Sequence, residues 1–214
     1  MRTSIFIFLC FFSLLGFAQN SSSDAKMLLD DVSNKVKSYD NIRIDFKYKQ
    51  DEIFGSSAQE TNGNAVLAGD KYILNVLGMS RIFDGSTLYT INPEDEEVTI
   101  SSNNTYDDTS ISPQTLLSFY EKGYAYKMDI TQNVNGRKIQ YVKLSPTDNA
   151  TNLDYVLLGI DQLTHHIYNM IEISKDGSRT TLTVNSFRTN EPISKTLFTF
   201  DESKYESYFI NRLD

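Results

Sequence analysis

Two adjacent histidines, His165 and His166, are the residues of this 214-residue chain best suited to acid–base or metal chemistry. Histidine is the usual general base because its ordinary pKa lies close to neutral pH. Both fall in a β-rich run (165–174), and neighbouring side chains of a strand point to opposite faces. The pair therefore predicts no shared catalytic or metal site, and we interpret both as polar residues on a strand surface.

Other reactive patterns are missing from the sequence. The one cysteine, Cys10, lies in an apolar N-terminal run, and no zinc-ligand spacing or phosphate-binding glycine loop occurs. These observations favour a protein that is not an enzyme and that needs no cofactor or metal.

Four consecutive carboxylates at Glu94-Asp95-Glu96-Glu97 are the densest charged cluster. A calcium loop needs spaced oxygen ligands and a glycine, which this run lacks. A solvated hairpin tip after the Asn92-Pro93 turn is the interpretation that we favour, since charge runs usually face water. The oxygen-rich stretch 148–154, which contains a glycosylation sequon, is interpreted as an ordinary loop.

The N-terminus is typical of a secretory signal peptide. One basic residue, Arg2, precedes an apolar run that ends in small residues before the polar "QNSSSD". We predict cleavage after Ala18, which leaves a single secreted domain at 19–214 without a lipid-attachment cysteine. That domain carries 19 basic and 28 acidic side chains, a balance that disfavours nucleic acid and anionic membranes as partners.

Two segments show helical spacing. Apolar residues recur at three- and four-residue steps from Ala25 to Tyr39, which predicts a helix capped by Ser21-x-x-Asp24 and ended by Asp40-Asn41. A second helix is predicted for "SPQTLLSFYEKG" (112–123).

Most of the remaining chain shows strand patterns separated by Asn-Gly, Asp-Gly and Asn-Pro turns. The clearest is "IRIDFKYK" (42–49), which alternates strictly. Further runs lie at 61–68, 70–77, 79–84, 86–92, 97–101, 124–132, 137–145, 153–160, 165–174, 179–188 and 196–200. About eleven antiparallel strands need more cover than two short helices provide. The sheet therefore folds on itself, packs as a sandwich, or encloses a cavity.

The order of these segments resembles the periplasmic outer-membrane lipoprotein carrier family, the LolA family, in a form similar to Bacteroidetes members. The resemblance covers the chain from about Asp24 onward. Its most specific part is Asp84-Gly85-x-Thr-Leu-Tyr89 followed by Asn92-Pro93. Better-known members carry an arginine-proline pair that latches the lid, whereas this chain has Ala68-Gly69-Asp70 at that place.

The resemblance implies an unclosed, strongly curved antiparallel β-barrel with helices as a lid over an apolar cavity. The expected role is a monomeric carrier that takes lipoprotein acyl chains from an inner-membrane transporter to an outer-membrane acceptor. A LolA-like carrier of another lipid and a non-catalytic regulatory module remain the alternatives. The implied cavity wall is Ile42, Ile44, Phe46, Tyr48, Val66, Tyr72, Leu74, Val76 and Phe83, and the implied lid is Leu28, Val32, Leu116, Leu117, Phe119 and Tyr120.

Overall fold

The computed structural model describes residues 16–51, 59–102, 117–148 and 150–213. This part of the chain forms one long helix, α1 (Gly16–Lys37), and twelve strands. The strands are β1 (Ile42–Asp51), β2 (Gln59–Ala68), β3 (Lys71–Val76), β4 (Met79–Phe83), β5 (Thr87–Asn92), β6 (Glu97–Ser102), β7 (Tyr124–Val134), β8 (Arg137–Pro146), β9 (Leu153–Asp161), β10 (Ile167–Ser174), β11 (Arg179–Thr189) and β12 (Phe209–Leu213).

All twelve strands belong to one unclosed, curled sheet with the order β12-β6-β5-β4-β3-β2-β1-β11-β10-β9-β8-β7. Neighbouring strands are antiparallel except for β12, which runs parallel to β6. The predicted curved antiparallel sheet is therefore confirmed. The prediction of about eleven strands missed β12, whose partner lies more than 100 residues away along the chain.

The curl follows from the two faces of the sheet and from its bulges. On β1, Ile42, Ile44 and Phe46 are buried on one face, here called the inner face. A register shift between Asp45 and Phe46 marks a bulge against β11, and bulges bend and twist strands locally. Bending brings both halves of the sheet around one apolar cluster, which joins residues of β1–β4 to residues of β8–β10.

Helix α1 packs against β7 and contributes Ala25, Leu29 and Val32 to this cluster. The predicted helix is confirmed, and it ends at Lys37, close to the predicted Asp40-Asn41 boundary, with Tyr39 N donating to Val36 O at 3.3 Å in a final tighter turn. Its predicted cap is wrong, because Ser21 lies inside the helix. Within the described residues, no helix combines the length and apolar composition needed to span a membrane.

The second predicted helix is only partly within the described residues. Residues 117 and 118 are helical and continue into a 3-10 turn, Phe119–Glu121. Gly123 follows with φ +83°, a conformation that glycine adopts without strain, so the predicted end of this segment is confirmed. Residues 112–116 lie outside the described part.

The segment that leads from β11 to β12, residues 190–208, is here called the C-terminal strap. The prediction of a strand at 196–200 within this strap is wrong, because the structure has turns and irregular backbone there. Phe200 of the strap stacks on Tyr89 at 4.5 Å between ring centroids and on Tyr205 at 5.3 Å. Tyr89 and its pairing partner Ile82 lie on the outer face of the sheet, opposite the inner face. The strap therefore crosses the outer face and allows β12 to pair in parallel with β6.

Candidate functional site

The inner face of the sheet is a continuous apolar surface. Six of the predicted wall residues are buried in one cluster on that face: Ile42, Ile44, Phe46, Tyr72, Leu74 and Phe83. Two more, Tyr48 and Val76, are partly buried against it. Whether these residues contact a lipid stays a prediction, but the sheet does bring them together.

Val66 is the exception among the predicted wall residues. It pairs with Arg43 on β1 and Ile73 on β3, whereas its neighbours Ala65 and Leu67 pair with inner-face residues. Ala65 and Leu67 belong to the inner cluster and Val66 does not. Val66 therefore lies on the outer face, and the wall positions of β2 are Ala65 and Leu67.

The lid positions lie against the same cluster. Val32 and Tyr120 are almost fully buried, Leu117 is buried, and Leu28 and Phe119 pack against the cluster while partly exposed. Leu116 lies outside the described residues. The lid thus consists of α1 together with residues 117–121, here called the lid turn.

Between the lid turn and the sheet lies an apolar cavity of about 30 Å³. Three wall residues come from the first half of the chain, Ile44, Phe46 and Ala65, and Leu117 closes the cavity from the lid. The others lie on β9–β11 or directly at their ends: Leu158, Ile167, Met170, Leu182, Val184 and Phe187. Sequence reasoning placed these residues in strands but did not assign them to the wall.

A polar contact holds the lid turn on α1. Glu121 Oε1 accepts hydrogen bonds from Ser33 Oγ at 2.6 Å and Lys37 Nζ at 2.8 Å. The Lys37 hydrogen bond, with that of Ser33, lowers the pKa of Glu121. On the other side of the turn, Tyr126 Oη donates to the Tyr120 carbonyl at 2.7 Å. These hydrogen bonds join the lid turn to α1 on one side and to β7 on the other.

A polar groove of about 410 Å³ runs beside this contact, lined by α1, the lid turn and Tyr126. The Tyr120 hydroxyl is buried at its edge without a hydrogen-bond partner among the described residues. Burial raises the pKa of Tyr120, with the charges of Glu121 and Asp30 adding to the effect. The contact between helix and turn thus leaves one buried hydroxyl without a hydrogen-bond partner among the described residues.

The histidines do not lie in a strand, so that part of the interpretation is wrong. His165 adopts φ +57° in the β9–β10 turn, and β10 begins only at Ile167. His166 Nε2 lies 2.8 Å from Tyr39 Oη, and its ring stacks on Phe187 at 4.1 Å. Burial lowers the pKa of His166. His166 thus packs between Tyr39, which follows α1, and Phe187 of β11.

The acidic run forms the turn between β5 and β6, with the side chains of Glu94, Asp95 and Glu96 exposed. Asn92 Nδ2 donates to Asp95 Oδ2 at 2.6 Å, so one carboxylate is used inside the turn. In the described ranges, no group of three His, Cys, Asp or Glu residues is placed to hold a metal ion. The hairpin-tip interpretation agrees with this geometry.

Glu172 is an ionisable residue on the inner face that sequence reasoning missed. Ile171 and Ile173 belong to a separate outer-face cluster, and alternation places Glu172 on the other face, with Met170. Burial raises its pKa, and its side chain forms no hydrogen bond or ion pair with the residues that the structure describes. An unpaired carboxylate at such a position opposes folding when it is charged.

We expect Glu172→Gln to stabilise the fold at neutral pH by about 1 kcal/mol, because glutamine keeps the shape and polarity of the side chain but removes a partly buried charge that has no partner. A raised folded-state pKa means that the folded protein binds the proton more tightly than the unfolded chain. Wild-type stability therefore falls as pH rises from the ordinary glutamate pKa through the folded value. Urea unfolding at pH 4 and pH 8 should show the advantage of the variant at pH 8 only, and an equal advantage at both pH values would contradict this.

Comparison with known proteins identifies the architecture. Residues 79–201 match the sequence model of the family described as "Outer membrane lipoprotein carrier protein LolA". The fold resembles an uncharacterized conserved protein from Thermus thermophilus, with a TM-score of 0.60, 7% identity, and coverage of 89% of this chain and 99% of that one. No curated protein sequence matches the chain.

Two further solved structures align over most of their length but less closely. LprF from Mycobacterium bovis has a TM-score of 0.48 at 14% identity and covers 82% of this chain and 98% of its own. A LolA superfamily protein from Nitrosomonas europaea has a TM-score of 0.42 at 11% identity and covers 82% and 97%. Neither bears on the expected likeness to Bacteroidetes members, which stays a prediction.

Proposed function

The chain belongs to the LolA family, and on that premise we propose that it is a periplasmic carrier that holds the acyl chains of lipoproteins against the inner face of its sheet. It receives them from an inner-membrane transporter and delivers them to an outer-membrane acceptor. The role is binding rather than catalysis. The leader peptide at 1–18 and the single mature domain at 19–214 are part of the proposal.

The observation that carries this proposal is the inner cluster itself, which joins both halves of a curled sheet under a small lid. Burying each CH₂ group is worth about 0.8 kcal/mol, so acyl chains gain much by leaving water for such a surface. The net acidic balance of the chain repels anionic membrane surfaces, which suits a carrier that works between membranes.

The cavity as it stands is small. A pocket for a ligand of ordinary size occupies roughly 300–1,000 Å³, whereas the space behind Leu117 measures about 30 Å³. Acyl chains enter only if the lid turn separates from α1 and moves away from the sheet. The exposed contact of Glu121 with Lys37 is weak enough to break during such a movement.

The small cavity also supports a second candidate, a regulatory or structural module with a filled core. The two functions differ in a direct test. Protein purified from periplasm is analysed by native mass spectrometry and then titrated with a fluorescent fatty-acyl probe. A carrier shows a bound lipid or lipoprotein mass, or binds the probe. Protein that is empty and binds no acyl probe would leave the filled module as the function.

The identity of the cargo is tested in the same material. Mass spectrometry of the extracted ligand separates a lipoprotein from a free lipid or lipid-linked precursor. A lipoprotein mass supports the cargo proposed here. A lipid without a peptide would instead support a LolA-like carrier of another lipid.

We expect Glu121→Gln to accelerate entry of an acyl probe by up to about fivefold, since an exposed ion pair is worth about 0.2–1 kcal/mol. The variant weakens the attraction to Lys37 that holds the lid turn on α1. Stopped-flow fluorescence measures the rate. Asp30→Asn is the matched control, because its pair with Lys26 joins two residues of α1 and does not involve the lid turn. Equal acceleration in both variants would contradict a role for Glu121 in closing the lid.

A further inference from the structure

Glu172 is the feature of the interior that a purely apolar cavity does not explain. It lies two residues from Met170, which lines the cavity, on the same face of β10. The strand register aligns it with Val156 on β9 and Thr180 on β11. Val156 aligns in turn with Leu144 on β8, and Leu144 with Tyr126 on β7. Glu172 is thus the one carboxylate in an inner-face row that runs across five strands.

Among the residues that the structure describes, no cation pairs with Glu172. The only influence on its pKa is burial, and its carboxylate accepts no hydrogen bond from a described side chain. The nearby ionisable group is the Tyr124 hydroxyl on β7, whose pKa is raised by burial and by the charge of Glu172. A tyrosine hydroxyl is neutral at physiological pH and does not neutralise a carboxylate.

The position of Glu172 within this inner-face row also bears on its role. Beyond Glu172, the inner face becomes polar at Thr180 and at Gln50, which pairs with Thr180 on β1. This end of the inner face therefore borders water, whereas Met170, Leu158 and Leu182 form its dry part. An amphiphile with its chain against the dry part would bring its polar end to Glu172.

We propose that Glu172 is a recognition site for a cationic nitrogen, an ammonium group carried at the polar end of an acyl-chain ligand. A carboxylate at the border of an apolar wall attracts an ammonium ion through a charge-assisted hydrogen bond, which is stronger than a neutral one. An anionic head group would be repelled at the same place. The inference rests on the proposed function and adds the chemical class of the polar end of the ligand.

Calorimetric titration of the purified protein with three probes of equal chain length tests the site: dodecylammonium, the neutral dodecanol and dodecanoate. We expect wild type to bind dodecylammonium about tenfold more tightly than dodecanol, in line with the strength of hydrogen bonds to charged groups. Glu172→Gln is expected to remove this preference while leaving the affinity for dodecanol within about twofold. Glu94→Gln makes the same change of charge on the exposed β5–β6 turn and controls for general attraction between the acidic protein and a cation.

The outcomes separate the two proposals. Binding of all three probes without an ammonium preference, or a preference that Glu172→Gln keeps, would overturn the Glu172 site and leave the carrier function standing. Equal loss of preference in Glu94→Gln would overturn it too, since long-range attraction would then be the cause. Binding by none of the probes would overturn the carrier function and the site together.

Discussion

Leu158→Ala is expected to lower the free energy of unfolding by about 3 kcal/mol, the middle of the range for a fully buried leucine. Leu158 on β9 has no exposed surface and lies in the inner cluster beside the cavity. Truncation removes contacts with residues from both halves of the curled sheet, which meet in the inner cluster. The rigid strands move only partly into the space left behind. Urea unfolding monitored by circular dichroism measures the change.

The chain offers a matched control five residues later. Leu163 lies in the β9–β10 turn and is 91% exposed, so Leu163→Ala is expected to change stability by less than about 0.5 kcal/mol. A loss below about 1 kcal/mol in Leu158→Ala would mean that the interior is not closed around β9 in solution. The two halves of the sheet would then not share one core.

The elements that local sequence patterns predicted are those whose two faces differ chemically. In β1, apolar residues alternate with charged ones, so the inner positions Ile42, Ile44 and Phe46 are evident without a structure. The turn at Asp84 likewise depends on neighbours: its Oδ1 accepts from the amides of Ser86 and Thr87, both at 2.8 Å. Such interactions join residues that are close together in sequence, so local patterns are enough to predict them.

The errors arise where both faces of a strand are apolar. In β2, the run Ala65-Val66-Leu67 is buried throughout, because the sheet interior lies on one side and the outer face is covered as well. Alternation then carries no information about which residues point inward. The same ambiguity hid Glu172, which stands between Ile171 and Ile173 in a strand whose outer face also carries an apolar cluster.

Contacts between segments that are far apart in sequence were the other feature that local patterns did not predict. The strap residue Phe200 belongs to a short apolar run that is typical of a strand, yet its stacking on Tyr89 fixes it across the outer face. Strand β12 follows the strap and pairs with β6. Nothing in either segment alone specifies the other, because the contact forms only after the sheet has assembled between them.

Ala65→Leu is expected to weaken binding of an acyl probe about fiftyfold. Ala65 is 3% exposed, lines the cavity, and stands between Ile44 on β1 and Leu74 on β3. The three added carbons occupy space that the ligand would use. Excluding three CH₂ groups of ligand costs about 2.4 kcal/mol at 0.8 kcal/mol each, which converts to that factor. Fluorescence titration measures the affinity, and urea unfolding should show an overpacking cost of about 1–3 kcal/mol.

Val66→Leu separates occlusion from overpacking. Val66 is the next residue on β2, is also buried, and faces outward with Arg43 and Ile73. Extra volume there also strains a packed region, but it lies on the side of the sheet away from the cavity, so acyl affinity should stay within about twofold of wild type. Equal loss of affinity in both variants would mean that overpacking, not occlusion, is responsible. Unchanged affinity in Ala65→Leu would place the acyl chains elsewhere, because a ligand on the inner face cannot avoid a residue between Ile44 and Leu74.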